Sequence, residues 1–148
     1  MAHSYPFSVR WHGSTADPAY SPDAQALAPG KPGIPVSSAP EFRGNPVHWN
    51  PEDLLGVALS TCHMLTFLAL CAKARVEVTR YEDHAESILD TLEKVTWVAE
   101  IHLKPTIRVA RGTSKAKVEE LFQKAHKYCF VANSIKSRVV MAPLVVEA

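Results

Sequence analysis

The side chains of this 148-residue chain best suited to chemistry are three cysteines, at positions 62, 71 and 129. A thiolate is a nucleophile that can be oxidised reversibly, whereas a lone buried thiol is a small hydrophobe with no role beyond packing. Cys62 and Cys71 lie nine positions apart in one apolar segment. If that segment is helical, they point about 180° apart and stand ~13 Å apart along the axis, beyond the separation a disulfide tolerates. They cannot bridge each other. Cys129 is the intrachain partner left for either one, and at least one cysteine remains over. Cys129 sits where a helix breaks into a short turn, and a helix N-terminus at that break could lower its thiol pKa. No C-x-x-C pair suggests a zinc site, and three scattered cysteines do not make a secreted disulfide framework. Residue types and spacing thus reach as far as one redox pair.

The elements that must position these thiols are most legible from residue 50 onward. Asn50-Pro51-Glu52-Asp53 reads as a helix start, with Asn at the N-cap, Pro at the first helical position and two acids where the helix dipole favours them. Leu54 to Ala72 then carries 19 residues without a formal charge, apolar nearly all round, so the helix must be buried on most sides. A membrane span is the rival reading by length. Ser60, Thr61, His63 and Thr66 at mid-segment, and the soluble pattern downstream, argue against it. Upstream, Tyr5–Trp11 and Ala24–Leu27 are short strand candidates, and the Pro/Gly-rich stretch from Gly30 to Trp49 is an ordered loop that could wall a site.

Downstream, Val76–Ile88 is β-prone and Val95–Val109 reads as a strand with one wet face. There Val95, Trp97, Ala99, Ile101, Leu103, Ile107 and Val109 share one parity and Val98 breaks it. Pro105 should place that strand at an edge or mark a bulge. Ser114 caps an amphipathic helix to Lys127 that presents Val118, Leu121, Phe122 and Ala125 on one face. A short helical turn follows over Cys129–Ser134, and a last strand, interrupted by Pro143, spans Arg138–Glu147. This order predicts an α+β fold, one domain over residues 1–148, with the long buried central helix packed on a curved antiparallel sheet.

Composition narrows the function classes. With 16 Lys+Arg against 15 Asp+Glu the net charge is +1, which offers no electrostatic footprint for nucleic acid or an anionic membrane. The seven histidines lack ligand spacing, so no metal is expected, and no cofactor either. The N-terminal residues lack the basic and apolar regions of a secretory signal, which points to the cytoplasm.

The stretch Asn50-Pro51-Glu52-Asp53-Leu54-Leu55, a cysteine ten residues after the Glu, and a second cysteine within Ala125-His126-Lys127-Tyr128-Cys129-Phe130-Val131-Ala132-Asn133 resemble the OsmC/Ohr family of thiol-dependent peroxidases. Phe42-Arg43-Gly44 resembles the Arg-bearing loop of its OsmC branch. The resemblance spans nearly the whole chain. It implies an intertwined α+β homodimer that reduces organic hydroperoxides, with Cys62 as peroxidatic nucleophile, Cys129 as resolving thiol, and Arg43 with Glu52 as the polar pair that activates Cys62. It also implies a dithiol reductant, lipoyl-type in the Ohr branch. Chemistry needs such a pair, because an ordinary thiol in an apolar helix is mostly protonated at neutral pH. A guanidinium can stabilise the thiolate and the leaving alkoxide, and a carboxylate can orient it. Without the resemblance, Arg43 would be a surface loop residue and Glu52 a first-turn acid serving the dipole.

Two positions depart from the family pattern. Phe130 stands where Pro is often found, and His63 follows the nucleophile where an apolar or aromatic residue is frequent. His63 reads as a helix residue on a neighbouring face, since adjacent positions diverge by about 100°, and Cys71 reads as core. The neighbours Leu55, Ala58, Leu59, Leu65 and Ala69 would make a greasy pocket, suited to an alkyl or lipid-derived hydroperoxide. The alternative is a non-catalytic module of the same family that binds an apolar small molecule at the dimer interface. Ten residues of unbroken helix would separate Glu52 from Cys62 by ~15 Å along the axis. An active site shared between antiparallel helices of two subunits is the arrangement that spacing predicts.

Overall fold

Asn50 and Asp53 close a reciprocal cap: the Asn50 Oδ1 accepts the Asp53 N–H at 2.8 Å, and the Asp53 carboxylate accepts the Asn50 N–H at 3.2 Å. From this cap the longest helix, α1, runs unbroken over Pro51–Lys73. The computed structural model describes residues 1–148. The chain divides into two units, Met1–Leu54 and Leu55–Ala148.

The first unit is a three-stranded antiparallel meander, β1 (Ser8–Arg10), β2 (Ala24–Leu27) and β3 (Ile34–Val36), with β2 in the middle. β1 is shorter than the Tyr5–Trp11 expectation because its partner strand runs out: Arg10 already pairs with Gln25, near the start of β2. The Trp11 indole turns aside and donates to the Ser21 carbonyl at 2.8 Å. The stretch expected as loop holds β3 as well. Pro35 sits in it without cost because β3 is an edge strand, where a missing N–H breaks no ladder. A 3-10 turn, Pro40–Phe42, follows, and the stretch is tied back at its far end by the Ser37 N–H on the Trp49 carbonyl at 2.8 Å.

The second unit carries most of α1, six strands and a second helix. The strands are β4 (Val78–Asp83), β5 (Glu86–Leu92), β6 (Val95–Leu103), β7 (Pro105–Val109), β8 (Arg138–Met141) and β9 (Leu144–Glu147). They form two three-stranded sheets, ordered β4-β7-β9 and β5-β6-β8. Helix α2 spans Lys115–Tyr128, with the Ser114 Oγ accepting the Lys117 N–H at 3.2 Å as its cap. The fold is α+β, but these two sheets are mixed: β6 pairs parallel to β8, and β7 parallel to β9.

Two expected strands are each two strands of different sheets. The break in Val95–Val109 falls at Lys104, whose N–H leaves the ladder for the Asp83 Oδ1 at 2.7 Å. Pro105 then opens β7, the middle strand of its sheet, at the first-residue position where a missing donor is tolerated. Pro143 likewise separates β8 from β9. The parity break at Val98 has its own cause. The β5–β6 register slips between Ile88 and Leu89, a bulge that leaves Ala99 unpaired and reverses the faces beyond it. Val98 therefore packs inward, while Val95 and Trp97 stand out in solvent.

On α1 the buried positions are Gly56, Leu59, His63, Phe67 and Cys71, a single stripe at three- and four-residue spacing. This stripe meets two apolar clusters. One joins Phe67 and Cys71 to Ile107, Val109, Val118, Phe122 and Val145; the other joins Leu59 to Ile101, Leu103 and Cys129. Length and hydropathy alone would let α1 cross a membrane; within the second unit this stripe is instead packed against strands and α2. Its other face is open: Val57 is 45% and Leu65 58% exposed.

His63 is fully buried with its ring 4.3 Å from that of Phe122, and neither ring nitrogen makes a well-formed hydrogen bond. Burial, helped by the nearby His126, pushes its pKa down to about 4, against a smaller opposing pull from the Phe122 backbone and then Asp83. The unfolded chain therefore takes up a proton near pH 6.5 that the native state refuses until about pH 4. Stability should fall as the pH drops through that window and gain no further penalty from this group below it. The loss approaches about 3 kcal/mol at about 1.4 kcal/mol per pH unit. Urea unfolding midpoints between pH 4 and 7 should show a shallower acid limb in His63→Leu than in the wild type.

Candidate active site

Cys62 lies on α1, half-buried, and its carbonyl accepts the Thr66 hydroxyl at 2.9 Å. Cys129 is the C-cap residue of α2 and is fully buried. The two side chains come together at the second apolar cluster, close enough for each to bear on the ionisation of the other; all three cysteines are free thiols. Cys71 faces the other cluster, with Phe67 and Phe122.

Cys129 owes its position to the chain that follows it. The Asn133 side-chain amide donates to the Lys127 carbonyl at 3.1 Å and to the Cys129 carbonyl at 3.0 Å, satisfying the last carbonyls of α2. The chain then turns through a 3-10 segment, Ala132–Ser134, which brings the Ala132 N–H to 3.4 Å from the Cys129 Sγ. Asn133 belongs to the motif that carried the resemblance, but its capping role depends on where α2 stops.

The expected lowering of the Cys129 pKa is overturned. Burial among Leu59, Ile101 and Leu103 pushes it up to about 11, and the neighbouring Cys62 adds to the rise. The Ala132 and Val131 amides pull the other way with less effect. Cys71 is pushed up to about 11 by burial alone. At neutral pH both are thiols, closed to solvent. Cys62 is the cysteine an external molecule can reach.

Arg43 and Glu52 lie in the first unit. Arg43 ends the 3-10 turn with a left-handed backbone, φ 65°, and its guanidinium donates to the Pro18 carbonyl at 2.9 Å. Glu52 is half-buried in the first turn of α1. No three His, Cys, Asp or Glu side chains gather as a metal would require.

A reachable thiol on one helix, touching a buried thiol at the end of another within an α+β chain, defines a small dithiol protein. The family model described as OsmC-like protein matches residues 44–143, and the chain belongs to that family. Among solved structures it is similar to an OsmC-like protein of unknown function from Vibrio cholerae, with 32% identity over 97% of this chain and all of the other, and a TM-score of 0.88. It shares its fold with the organic hydroperoxide resistance protein OsmC of Legionella pneumophila (18% identity, 97% and 98% of the chains, TM-score 0.68). The same holds for the organic hydroperoxide resistance protein OhrB of Bacillus subtilis (14% identity, 97% and 98% of the chains, TM-score 0.66). No curated protein matches the chain.

Proposed function

We propose that the protein is a thiol-dependent peroxidase that reduces organic hydroperoxides to alcohols. The observation that carries this reading is the contact between a reachable Cys62 and a buried Cys129. In the first step the Cys62 thiolate attacks the terminal oxygen of ROOH. The S–O bond forms as the O–O bond breaks, and the alkoxide takes a proton and leaves as ROH. Arg43 holds the thiolate and the developing alkoxide by charge, and Glu52 orients Arg43. In the second step the Cys129 thiol surrenders its proton and its sulfur attacks the Cys62 sulfenic acid, expelling water and closing a Cys62–Cys129 disulfide. A dithiol reductant, lipoyl-type in the Ohr branch, then exchanges with this disulfide and restores both thiols. The cytoplasm, which keeps such dithiols reduced, suits the cycle.

Each thiol keeps one role because their surroundings differ. Cys129, high in pKa and closed to solvent, is withheld from peroxide and waits as the resolving thiol. Apolar neighbours of the pair, Leu55, Leu59 and Val98, favour an alkyl hydroperoxide over hydrogen peroxide. The open apolar face of α1 supports a homodimer in which a second copy covers it. Turnover of cumene hydroperoxide with dihydrolipoamide tests the reading: one dithiol should be oxidised per hydroperoxide reduced, and absence of any consumption would leave the chain a binding module.

A further inference from the structure

We infer that Asp23 is a positioning residue for Arg43, clasping both ends of the loop that presents it. The inference rests on the reading that Arg43 serves the active site. The loop leaves β3 at Ser37 and returns at Asn45. Asp23 precedes β2, and one oxygen of its carboxylate accepts the Ser37 hydroxyl at 2.8 Å while the other accepts the Asn45 side-chain amide at 3.2 Å. The Ser37 oxygen in turn accepts the Asn45 N–H at 3.0 Å. His48 adds a ring nitrogen 3.8 Å from the same carboxylate. Hydrogen bonds from Asn45 and Ser37 also hold the Asp23 carboxyl below its ordinary range, so the acceptor remains charged at neutral pH.

Between the clasped ends the backbone has little freedom. The Arg43 N–H bonds the Pro40 carbonyl at 3.1 Å and the Gly44 N–H the Ala39 carbonyl at 3.1 Å. A Cβ on Gly44 would fall 1.5 Å from the Ser38 carbonyl oxygen, so only glycine fits there. Arg43 itself holds a left-handed φ of 65°, which a side-chain-bearing residue keeps only where its surroundings over-determine it. Beside the bond of the Arg43 guanidinium to the Pro18 carbonyl, Asp23 supplies a long-range part of that determination, joining Ser37 and Asn45 from 14 and 22 residues away in the chain. Opening the clasp frees the loop to relax toward ordinary backbone and carries the guanidinium with it.

The test uses the full chain with Asp23→Ala and Ser37→Ala, each alone and combined with Arg43→Ala. Iodoacetamide labelling of Cys62 against pH, read by peptide mass spectrometry, accompanies kcat/KM for cumene hydroperoxide. Arg43→Ala should move the labelling profile to higher pH. Either clasp variant should move it the same way and lower kcat/KM roughly ten- to a hundredfold, the cost of a misplaced group. Neither should lower it further once Arg43 is gone. An equal loss in the presence and absence of Arg43, or a wild-type profile in both clasp variants, overturns the inference. An unshifted profile in Arg43→Ala itself would remove Arg43 from the site and end the inference with it, a result distinct from the other two.

Discussion

Cys62→Ser should lose hydroperoxide reduction entirely, and Cys129→Ser should consume about one equivalent, with a second only where the sulfenic acid is over-oxidised, and stop. The two losses differ because the two sulfurs act in succession. A serine hydroxyl at position 62 is a far weaker nucleophile than a thiolate and has no sulfenic acid to form, so no O–O bond is broken. In Cys129→Ser the first step survives, but the sulfenic acid has no thiol to condense with and either waits or is oxidised to sulfinic acid. Cys71→Ser should cycle like the wild type, since Cys71 packs in the other cluster. Burst amplitudes in stopped-flow assays, with intact mass spectrometry for one or two added oxygens, separate the three variants. A burst in Cys62→Ser equal to that of the wild type would assign the first step to another residue.

A heterodimer of Cys62→Ser and Glu52→Ala chains should recover activity that neither homodimer has. Helix α1 is continuous over both positions, so their separation of ten residues holds the Cα atoms ~15 Å apart along the axis on faces about 80° apart. Two copies of α1 packed antiparallel about a two-fold axis would bring Glu52 of one protomer toward Cys62 of the other. Each homodimer then has two defective sites. A heterodimer has one site with both residues intact, so half of the wild-type sites are expected to return. Co-refolding followed by separation on differently tagged chains gives the measurement, and no recovery in a verified heterodimer would return Glu52 to the site of its own chain.

What the sequence made legible was what local chemistry determines. The start of α1 needs only Asn50, Pro51 and Asp53, and the start of α2 only Ser114, so both could be read residue by residue. Pro105 and Pro143 showed where strands break, but not that the chain changes sheet at each. That choice is made by pairings with strands far along the chain, among them the parallel pairs Ile101 with Val139 and Ile107 with Val145. Val98 stood out as a parity fault, yet the bulge behind it is a property of two strands together. At the site, whether Cys129 meets Cys62 or Cys71 was open on spacing alone. The direction of the Cys129 pKa was misread for the same reason: the turn after it is local, while the burial that outweighs its amides comes from α1 and β6. Asp23 gave no signal at all, because its partners are separated from it by a strand, a turn and a second strand.

The central claim is that Cys62 and Cys129 are a redox couple driven by hydroperoxide. One equivalent of cumene hydroperoxide added to the fully reduced protein, followed by thiol counting and non-reducing peptide mapping, addresses it directly. The count should fall from three thiols to one, the survivor should be Cys71, and the peptides of Cys62 and Cys129 should be found joined. Three remaining thiols, or a bridge that includes Cys71, would contradict the account.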